Sequence, residues 1–489
     1  MFAPSIRQKA VFNEWKTTDN NILLAAVAGS GKTTTLLELL KICKYKTLFL
    51  AFNKTVKEEI QKRIEDKGLS QGKAMTLHSL GLMAVRKKYK KVFIKNGKNF
   101  DLVKEVQNIN YQTFKGMKWG DKLKLSYTLM DMNDISRLFL TDDLGEIKKH
   151  MLSMDKTFTD HEDIISLWSD FLQLREESYS GTSITIDFND MIYLTAHNNL
   201  RIPIDPYYLM IDESQDLNLA QHKLVENLIN QGTVKKWIAV GDRNQSIYGF
   251  SGAYTSSFDK FLDMGNVTEL PLDICYRCAK KIIDETNEVY DVMEYGIENE
   301  GIVGKVTDIN EVKSESMIIC RNTQPIIKLY FGLLGRGMPV YIKGDDILSS
   351  ITRFLKPHMS HTVSRTKREL ETKYELLQKD NTTNGRIKLH VFRENYGNFK
   401  TLISNMSVGT DVIKHLIDKI QNLFRVKSKA TMLCTIHKSK GLEADIVYIL
   451  NENLIPSKFA TSPEQLKQEQ NLKYVARSRA KKELYYLNL

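Results

Sequence analysis

Cysteine is scarce in this chain: Cys43, Cys275, Cys278, Cys320 and Cys434 are odd in number and scattered over 489 residues. That excludes a disulfide framework as the source of stability and points to a reducing compartment. Cys275 and Cys278 form a lone CxxC, with no second pair to bring it to the roughly four ligands of a structural zinc site, so it reads as ordinary core. Long apolar runs are missing too. The greasiest, 22–28, is far shorter than a membrane span, and no basic stretch followed by an apolar one opens the sequence. The expectation is a soluble, cytoplasmic protein with no membrane partner. No segment is biased enough to be low-complexity, and no repeat of fixed period is visible.

What is present begins with length, enough for two to four domains. The net charge of +11 invites a polyanionic partner, and its distribution sharpens that expectation. Residues 81–130 hold 12 Lys/Arg against 3 Asp/Glu, and residues 351–430 hold 16 against 7, so the remainder of the chain is net acidic. A phosphate backbone would lie along those two segments. Short β-rich runs at 21–28, 47–52, 207–212, 237–241, 317–320, 340–342 and 446–450 alternate with helical stretches at 32–43, 54–64 and 323–334. This pattern predicts an α/β fold with parallel sheets. Residues 81–178 and 346–430 break it, being polar and helical, and resemble insertions into two α/β cores.

Three motifs carry chemistry. Ala26-Val-Ala-Gly-Ser-Gly-Lys-Thr33 follows a predicted strand and opens a predicted helix, the context of a phosphate-binding loop. Ala28, Gly29, Ser30, Gly31 and Thr34 would shape the cradle, with the glycines letting backbone N–H groups face phosphate oxygens. Lys32 would reach the terminal phosphates of ATP, and Thr33 would offer a hydroxyl to Mg²⁺. Alone, this loop does not separate a kinase from a motor. Tyr207-Tyr-Leu-Met-Ile-Asp-Glu-Ser-Gln-Asp216 is an apolar strand ending in two carboxylates: Asp212 would hold the Mg²⁺ shell, and Glu213 would orient and deprotonate the attacking water. In Val240 to Ala253, Gln245 could sense the γ-phosphate, while Tyr248 and Phe250 offer flat faces for base stacking.

With these motifs in this order, the sequence resembles superfamily 1 DNA helicases of the UvrD/Rep/PcrA type, in a compact form. The resemblance implies two RecA-like motor domains. Their expected boundaries are 1–80 with 179–270, and 271–345 with 431–489; the basic helical insertions would be 81–178 and 346–430. It further implies that Gln8, in Arg7-Gln-Lys-Ala-Val11, reads adenine. Phe52 and Asn53, in Thr47-Leu-Phe-Leu-Ala-Phe-Asn-Lys54, and Thr76 and His78, in Thr76-Leu-His-Ser79, would contact DNA. In the second half, Tyr276 would stack on adenine and Arg277 would touch the γ-phosphate. Thr435 and His437 would face the strand and Glu443 the nucleotide, and Arg479 would be a second γ-phosphate arginine. Hydrolysis between two cores would then drive stepping, 3′-to-5′ by the resemblance of Gln-Ser-Ile-Tyr-Gly-Phe250 to that branch. Single-stranded DNA and single/double-strand junctions are the implied partners, with a protein partner in replication, repair or recombination open and function as a monomer expected. The implied location is the nucleoid, or a host cytoplasm if the source is viral.

Departures from the family pattern are informative. Phe250-Ser251 stands where the family usually has Trp-Arg, so one arginine is missing. In the last motif Asn471 replaces a common arginine, which leaves the pairing of the nearby acidic group open. The second insertion, about 85 residues, is short beside the larger relatives. A DNA-stimulated ATPase that remodels DNA–protein complexes or serves a partner nuclease is the alternative reading.

Overall fold

The computed structural model describes residues 3–489 except 155, 157, 248–256, 380–382, 407–410, 426–428 and 459. Tyr248, Phe250 and Ser251 therefore lie outside the described residues. The chain forms two compact units, 1–27 with 31–273, and 28–30 with 274–489.

The strands of the first unit are β1 (Asn21–Ala26), β2 (Thr47–Ala51), β3 (Gly72–Thr76), β4 (Lys91–Ile94), β5 (Ser183–Ile186), β6 (Tyr208–Ile211), β7 (Lys236–Gly241) and β8 (Val267–Leu272). Six of them make one sheet in the order β3-β2-β6-β7-β1-β8, with every pairing parallel. The apolar runs explain its centre: β2 and β7 are buried at every position, as strands covered on both faces must be. Pro271, which has no N–H for a ladder, sits in edge strand β8. One face is covered by a cluster containing Leu36, Leu39, Leu40 and Ile60, the other by one containing Leu80, Leu224, Trp237 and Phe261.

Between β4 and β5 the chain runs through helices Lys98–Ile109, Tyr111–Lys115, Trp119–Phe139, Leu144–Ser153 and Ile164–Glu177, which bury their own core around Leu129, Met132, Leu167 and Phe171. The strand pair β4–β5 at its root was not expected: four-residue strands, one starting at Lys91 and the other half Ser and Thr, give little apolar signal. Here the fully buried Arg137 bonds Asp134, Asp187 and Asp190, and Lys98 also pairs with Asp190.

In the second unit, β9 (Ile274–Cys275) pairs with β10 (Glu294–Tyr295). The main sheet uses β11 (Ile302–Val306), β12 (Met317–Cys320), β13 (Val340–Ile342), β14 (Thr431–Thr435), β15 (Ala444–Leu450) and β16 (Ala480–Leu487), in the order β11-β16-β15-β12-β14-β13, again all parallel. The fold is thus α/β with two parallel sheets. The segment between β13 and β14 is helical over Asp345–Leu355, Val363–Gln378, Thr383–Asn405 and Ile413–Gln421. Its Phe392, Phe399, Leu402, Leu416 and Ile420 join Ile326, Ile327 and Tyr330 of helix Thr323–Leu334 in a single core. Gly397 lets the two helices approach closely: a Cβ there would come within 2.9 Å of the amide end of the Gln324 side chain. Among the described residues, no helix is long and apolar enough to cross a membrane.

Candidate nucleotide site and nucleic-acid interface

In the first unit, register aligns the functional residues along one sheet edge. Ala25 pairs with Gly241, Ile211 with Ala239, Leu50 with Ile211 and Ala51 with Thr76. Phosphate loop, acidic pair, Gln245, Phe52 and Thr76 therefore all leave from carboxyl ends of parallel strands, where open α/β sheets bind ligands.

Helix Lys32–Ile42 starts at Gly31, whose φ of 81° is left-handed and whose cap carries no side-chain hydrogen bond. A helix start of this kind presents N–H groups and the positive dipole end to an anion. Lys32, Thr33 and Thr34 form its first turn. Thr33 Oγ1 donates to Asp212 Oδ2 at 3.1 Å, and Lys32 Nζ stands 3.8 Å from Glu213 Oε2. Asp212 is buried, and desolvation followed by the charge of Glu213 pushes its carboxyl up to about 7. A buried carboxylate opposed by its surroundings, beside a hydroxyl, is an all-oxygen donor set that fits a hard dication such as Mg²⁺.

Glu213 adopts φ 50° and ψ 41°, a left-handed conformation uncommon outside glycine, directly after β6. Its N–H donates to Asp212 Oδ1 (2.9 Å), and Gln215 Nε2 donates to its Oε2 (2.7 Å). Gln215 Oε1 in turn accepts from the N–H of Asp242. Buried Gln245 donates through Nε2 to Asp242 Oδ2 at 2.6 Å, so a polar chain links Glu213, Gln215, Asp242 and Gln245. Gln215 and Asp242 stood inside the motifs read from sequence, yet their linking role depends on β6 and β7 being neighbours. Gln8 is buried; its Nε2 donates to Thr35 Oγ1 (2.9 Å), and its Oε1 accepts from the N–H of Ser5.

The strand-facing candidates share a local structure. Asn53 caps helix Lys54–Asp66 by accepting from Val56 N–H (2.9 Å), Thr76 caps helix Leu77–Lys88 in a reciprocal box with Ser79, and Thr435 caps helix Ile436–Ser439. Each polar side chain after a strand is thereby held by a cap. Phe52, half-buried, immediately precedes Asn53. His78 has its titration lowered by burial, and its ring meets that of exposed Phe188 edge-on at 6.0 Å. Phe188 was missed in the sequence because it lies far from His78 in the chain.

Ala28–Ser30 belong to the second unit. There Ala28 N–H donates to Tyr474 Oη (3.2 Å), and Tyr276 N–H donates to Gly29 O (2.9 Å). Gly29, at φ 71°, would place a Cβ 2.5 Å from that of Arg277. Ser30 is buried, whereas the Tyr276 ring is 42% exposed. Arg277 Nε pairs with Glu443 Oε2 at 2.6 Å, and Lys481 Nζ holds Glu443 Oε1 at 2.6 Å. Buried Arg479 is positioned by Val475 O, Leu442 O and Ser478 Oγ. His437 is held neutral down to about 3 by burial and then by the charges of Arg321, Lys438 and Lys440.

The acidic group of the last motif has a partner: Glu469 forms a two-pronged ion pair with Arg321, whose Nη2 lies 2.7 Å from Oε1. Asn471 instead accepts from Tyr290 Oη at 2.9 Å.

Comparison with known proteins places the first half of the chain in a family. Residues 7–264 match the UvrD/REP helicase N-terminal domain. The ATP-dependent DNA helicase Rep of Buchnera aphidicola subsp. Schizaphis graminum is 23% identical, over 95% of this chain and 90% of that protein. The ATP-dependent DNA helicase PcrA of Bacillus subtilis is 27% identical, over 58% of this chain but only 39% of that protein, and a PcrA of Staphylococcus aureus is 26% identical, over 56% and 38%. An arterivirus nonstructural protein 10 helicase structure covers 95% of this chain and 59% of that one at 10% identity and a TM-score of 0.35. The family match takes in the phosphate loop, the acidic pair and Gln245, and on that ground the chain belongs to the UvrD/REP helicase family.

Proposed function

We propose that this chain is an ATP-dependent DNA helicase and translocase that moves 3′-to-5′ on single-stranded DNA. The observation that carries the reading is the shared edge of the first sheet: the Lys32, Thr33, Asp212 and Glu213 cluster leaves β1 and β6, and Phe52, Asn53 and Thr76 leave neighbouring β2 and β3. Hydrolysis and strand contact thus share one rigid scaffold.

Lys32 neutralises the terminal phosphates, and the N–H groups opening its helix bind their oxygens. Thr33 and Asp212 would hold Mg²⁺, which would neutralise charge on the phosphates. Glu213 takes a proton from the attacking water, and Gln215 holds the carboxylate while joining it to Gln245 through Asp242. Glu213 and Gln245 are thereby joined through two intermediate residues, Gln215 and Asp242. Arg277 and Arg479 act on the transferring phosphoryl group, and Gln8 and Tyr276 on the adenine; Glu443 sets the position of Arg277. Asn53, Thr76, His78, Thr435 and His437, with Tyr248 and Phe250, contact DNA. Neutral His437 and His78 suit contacts to bases and sugars better than phosphate pairing. Junctions of single and double strand are the working substrate, and a monomer in the cytoplasm the working form.

The test compares ATP-dependent unwinding of duplexes carrying a 3′ or a 5′ single-stranded tail, with Lys32→Ala as control. The 3′-tailed duplex should open and the control should be inactive. Preference for the 5′ tail would overturn the polarity, and full activity of Lys32→Ala the mechanism. The short second insertion keeps open a second reading, a DNA-stimulated ATPase that remodels DNA–protein complexes or serves a partner such as a nuclease. Robust unwinding by the isolated chain excludes a strictly partner-dependent motor.

A further inference from the structure

Within the second insertion, away from every motif above, His358, His361 and Glu369 converge. Their ligand atoms all lie within 4.8 Å of one another, and all three residues are half-buried. His358 ends the short turn Lys356–His358, His361 lies three residues on, and Glu369 projects from the second turn of helix Val363–Gln378. Both Nδ1 atoms face the same carboxylate oxygen, Glu369 Oε2, at 3.0 and 3.1 Å. The other oxygen, Oε1, accepts from Arg365 Nε at 2.8 Å.

The geometry points to a binding site for one zinc ion, with His358 Nδ1, His361 Nδ1 and Glu369 Oε2 as protein ligands and water as the fourth. Tetrahedral zinc with bonds of about 2.0–2.1 Å separates its ligand atoms by roughly 3.3 Å. The two N···O separations already approach that value, so binding needs only small opening at the carboxylate and closure of the two rings. Imidazole and carboxylate suit zinc, whereas an all-oxygen site would suit Mg²⁺. Arg365 acts as the outer partner that orients a ligating carboxylate and commits it to one oxygen.

The backbone around the ligands is fixed independently of them. His361 N–H donates to His358 O (2.8 Å), which sets the two rings on one side of the turn. Ile413 N–H donates to His361 O (3.0 Å), Lys414 N–H to Met359 O (3.3 Å) and Val363 N–H to Asp411 O (3.0 Å), and Thr362 bridges Val412. The ion would therefore clamp the turn 356–361 to helix Val363–Gln378 at the point where helix Ile413–Gln421 also attaches. The clamp suits an insertion whose basic helices carry several like charges.

The experiment uses the full chain, stripped of metal by a chelator and titrated with Co²⁺ as a spectroscopic substitute, then with Zn²⁺ in competition. One equivalent of Co²⁺ should bind with visible d–d absorption of a nitrogen and oxygen site, and Zn²⁺ should displace it and raise the melting temperature. Glu369→Gln, nearly the same shape, and His361→Asn should each weaken binding by about 100-fold or more, beyond the effect typical of outer partners. Their ATP turnover without DNA should match the parent, showing that they fold. Absence of stoichiometric binding to the parent, or parental affinity in both variants, overturns the site. Sulfur-to-cobalt charge-transfer absorption would also overturn it, by assigning the metal to Cys275 and Cys278.

Discussion

Thr33 Oγ1 donates to Asp212 Oδ2 across 3.1 Å, joining the first turn after the phosphate loop to the carboxyl end of β6, 179 residues later in sequence. The hydroxyl and the carboxylate are the two groups proposed to hold Mg²⁺, and they arrive already in contact. Thr33→Ala should therefore raise the Mg²⁺ concentration needed for half-maximal ATP turnover by about 10–100-fold, the usual effect of disturbing a metal's surroundings. Asp212→Asn should lower turnover by at least about 100-fold even at saturating Mg²⁺, because a buried charge opposite the phosphates is lost. A Mg²⁺ titration of ATP turnover with each variant is the measurement, and unchanged curves would remove both residues from the site.

The left-handed backbone of Glu213 separates stability from activity. A non-glycine residue there costs on the order of 1–2 kcal/mol. Glu213→Gly should be more stable than Glu213→Gln by about 1 kcal/mol in urea unfolding, offset in part by glycine's larger unfolded-state entropy. Both should retain nucleotide binding and lose turnover by roughly 100-fold or more, the contribution of a positioned base. Equal turnover in Glu213→Gln and parent would place the base elsewhere.

Which parts of this were legible in the sequence follows from where the signal lies. Strands such as β2 and β12, continuous Thr-Leu-Phe-Leu-Ala and Met-Ile-Ile-Cys, declare themselves because both faces are covered. β3 (Gly-Lys-Ala-Met-Thr) and β8 with its Pro271 do not, since edge position lets polar residues and proline in; nor does the lysine-rich start of β16, an interior strand whose residues 481–483 are not buried. Within β16 only 484–487 is an apolar run, and the strand begins four residues earlier, at Ala480. The phosphate loop and acidic pair were legible because their chemistry is local. The capping duty shared by Asn53, Thr76 and Thr435 was not, as it requires knowing where each helix begins. Nor was the three-ligand cluster of the second insertion: His358 and His361 stand three apart, but the third member comes from the next helix.

The pairing of Arg321 with Glu469 links the end of β12 to helix Pro463–Arg477, and Glu469 Oε2 also accepts from the N–H of Ser457 at 3.0 Å. Glu469 is 5% exposed and leaves few routes for water to replace it. Removing one partner of a buried pair strands the other, at a cost of about 3–5 kcal/mol, whereas removing both costs less. Glu469→Leu should thus lower the urea midpoint more than the Arg321→Met, Glu469→Leu double variant. A double-mutant cycle checks this, and strict additivity would mean that the two groups do not support each other.

His222 gives the first unit an acid limit. The residue is 6% exposed, its ring packs 4.6 Å from that of Phe261, and among the described residues Nε2 has no hydrogen-bond partner. Burial, reinforced by the charge of Lys260, pushes its titration down to about 4. The unfolded chain takes up a proton near pH 6.5 while the folded one resists until about 4, so the unfolded state binds more protons across that window. The stability contributed by neutral His222 is present above pH 6.5 and is lost as pH falls towards 4. By the magnitude of the shift this amounts to about 3 kcal/mol at the acid end. His222→Phe, which fills the same apolar niche without a proton to bind, should flatten the melting temperature between pH 6.5 and 4 relative to the parent and leave it close to the parent at pH 8. Parallel melting curves for the two proteins throughout that window would show that His222 charges freely in the folded state.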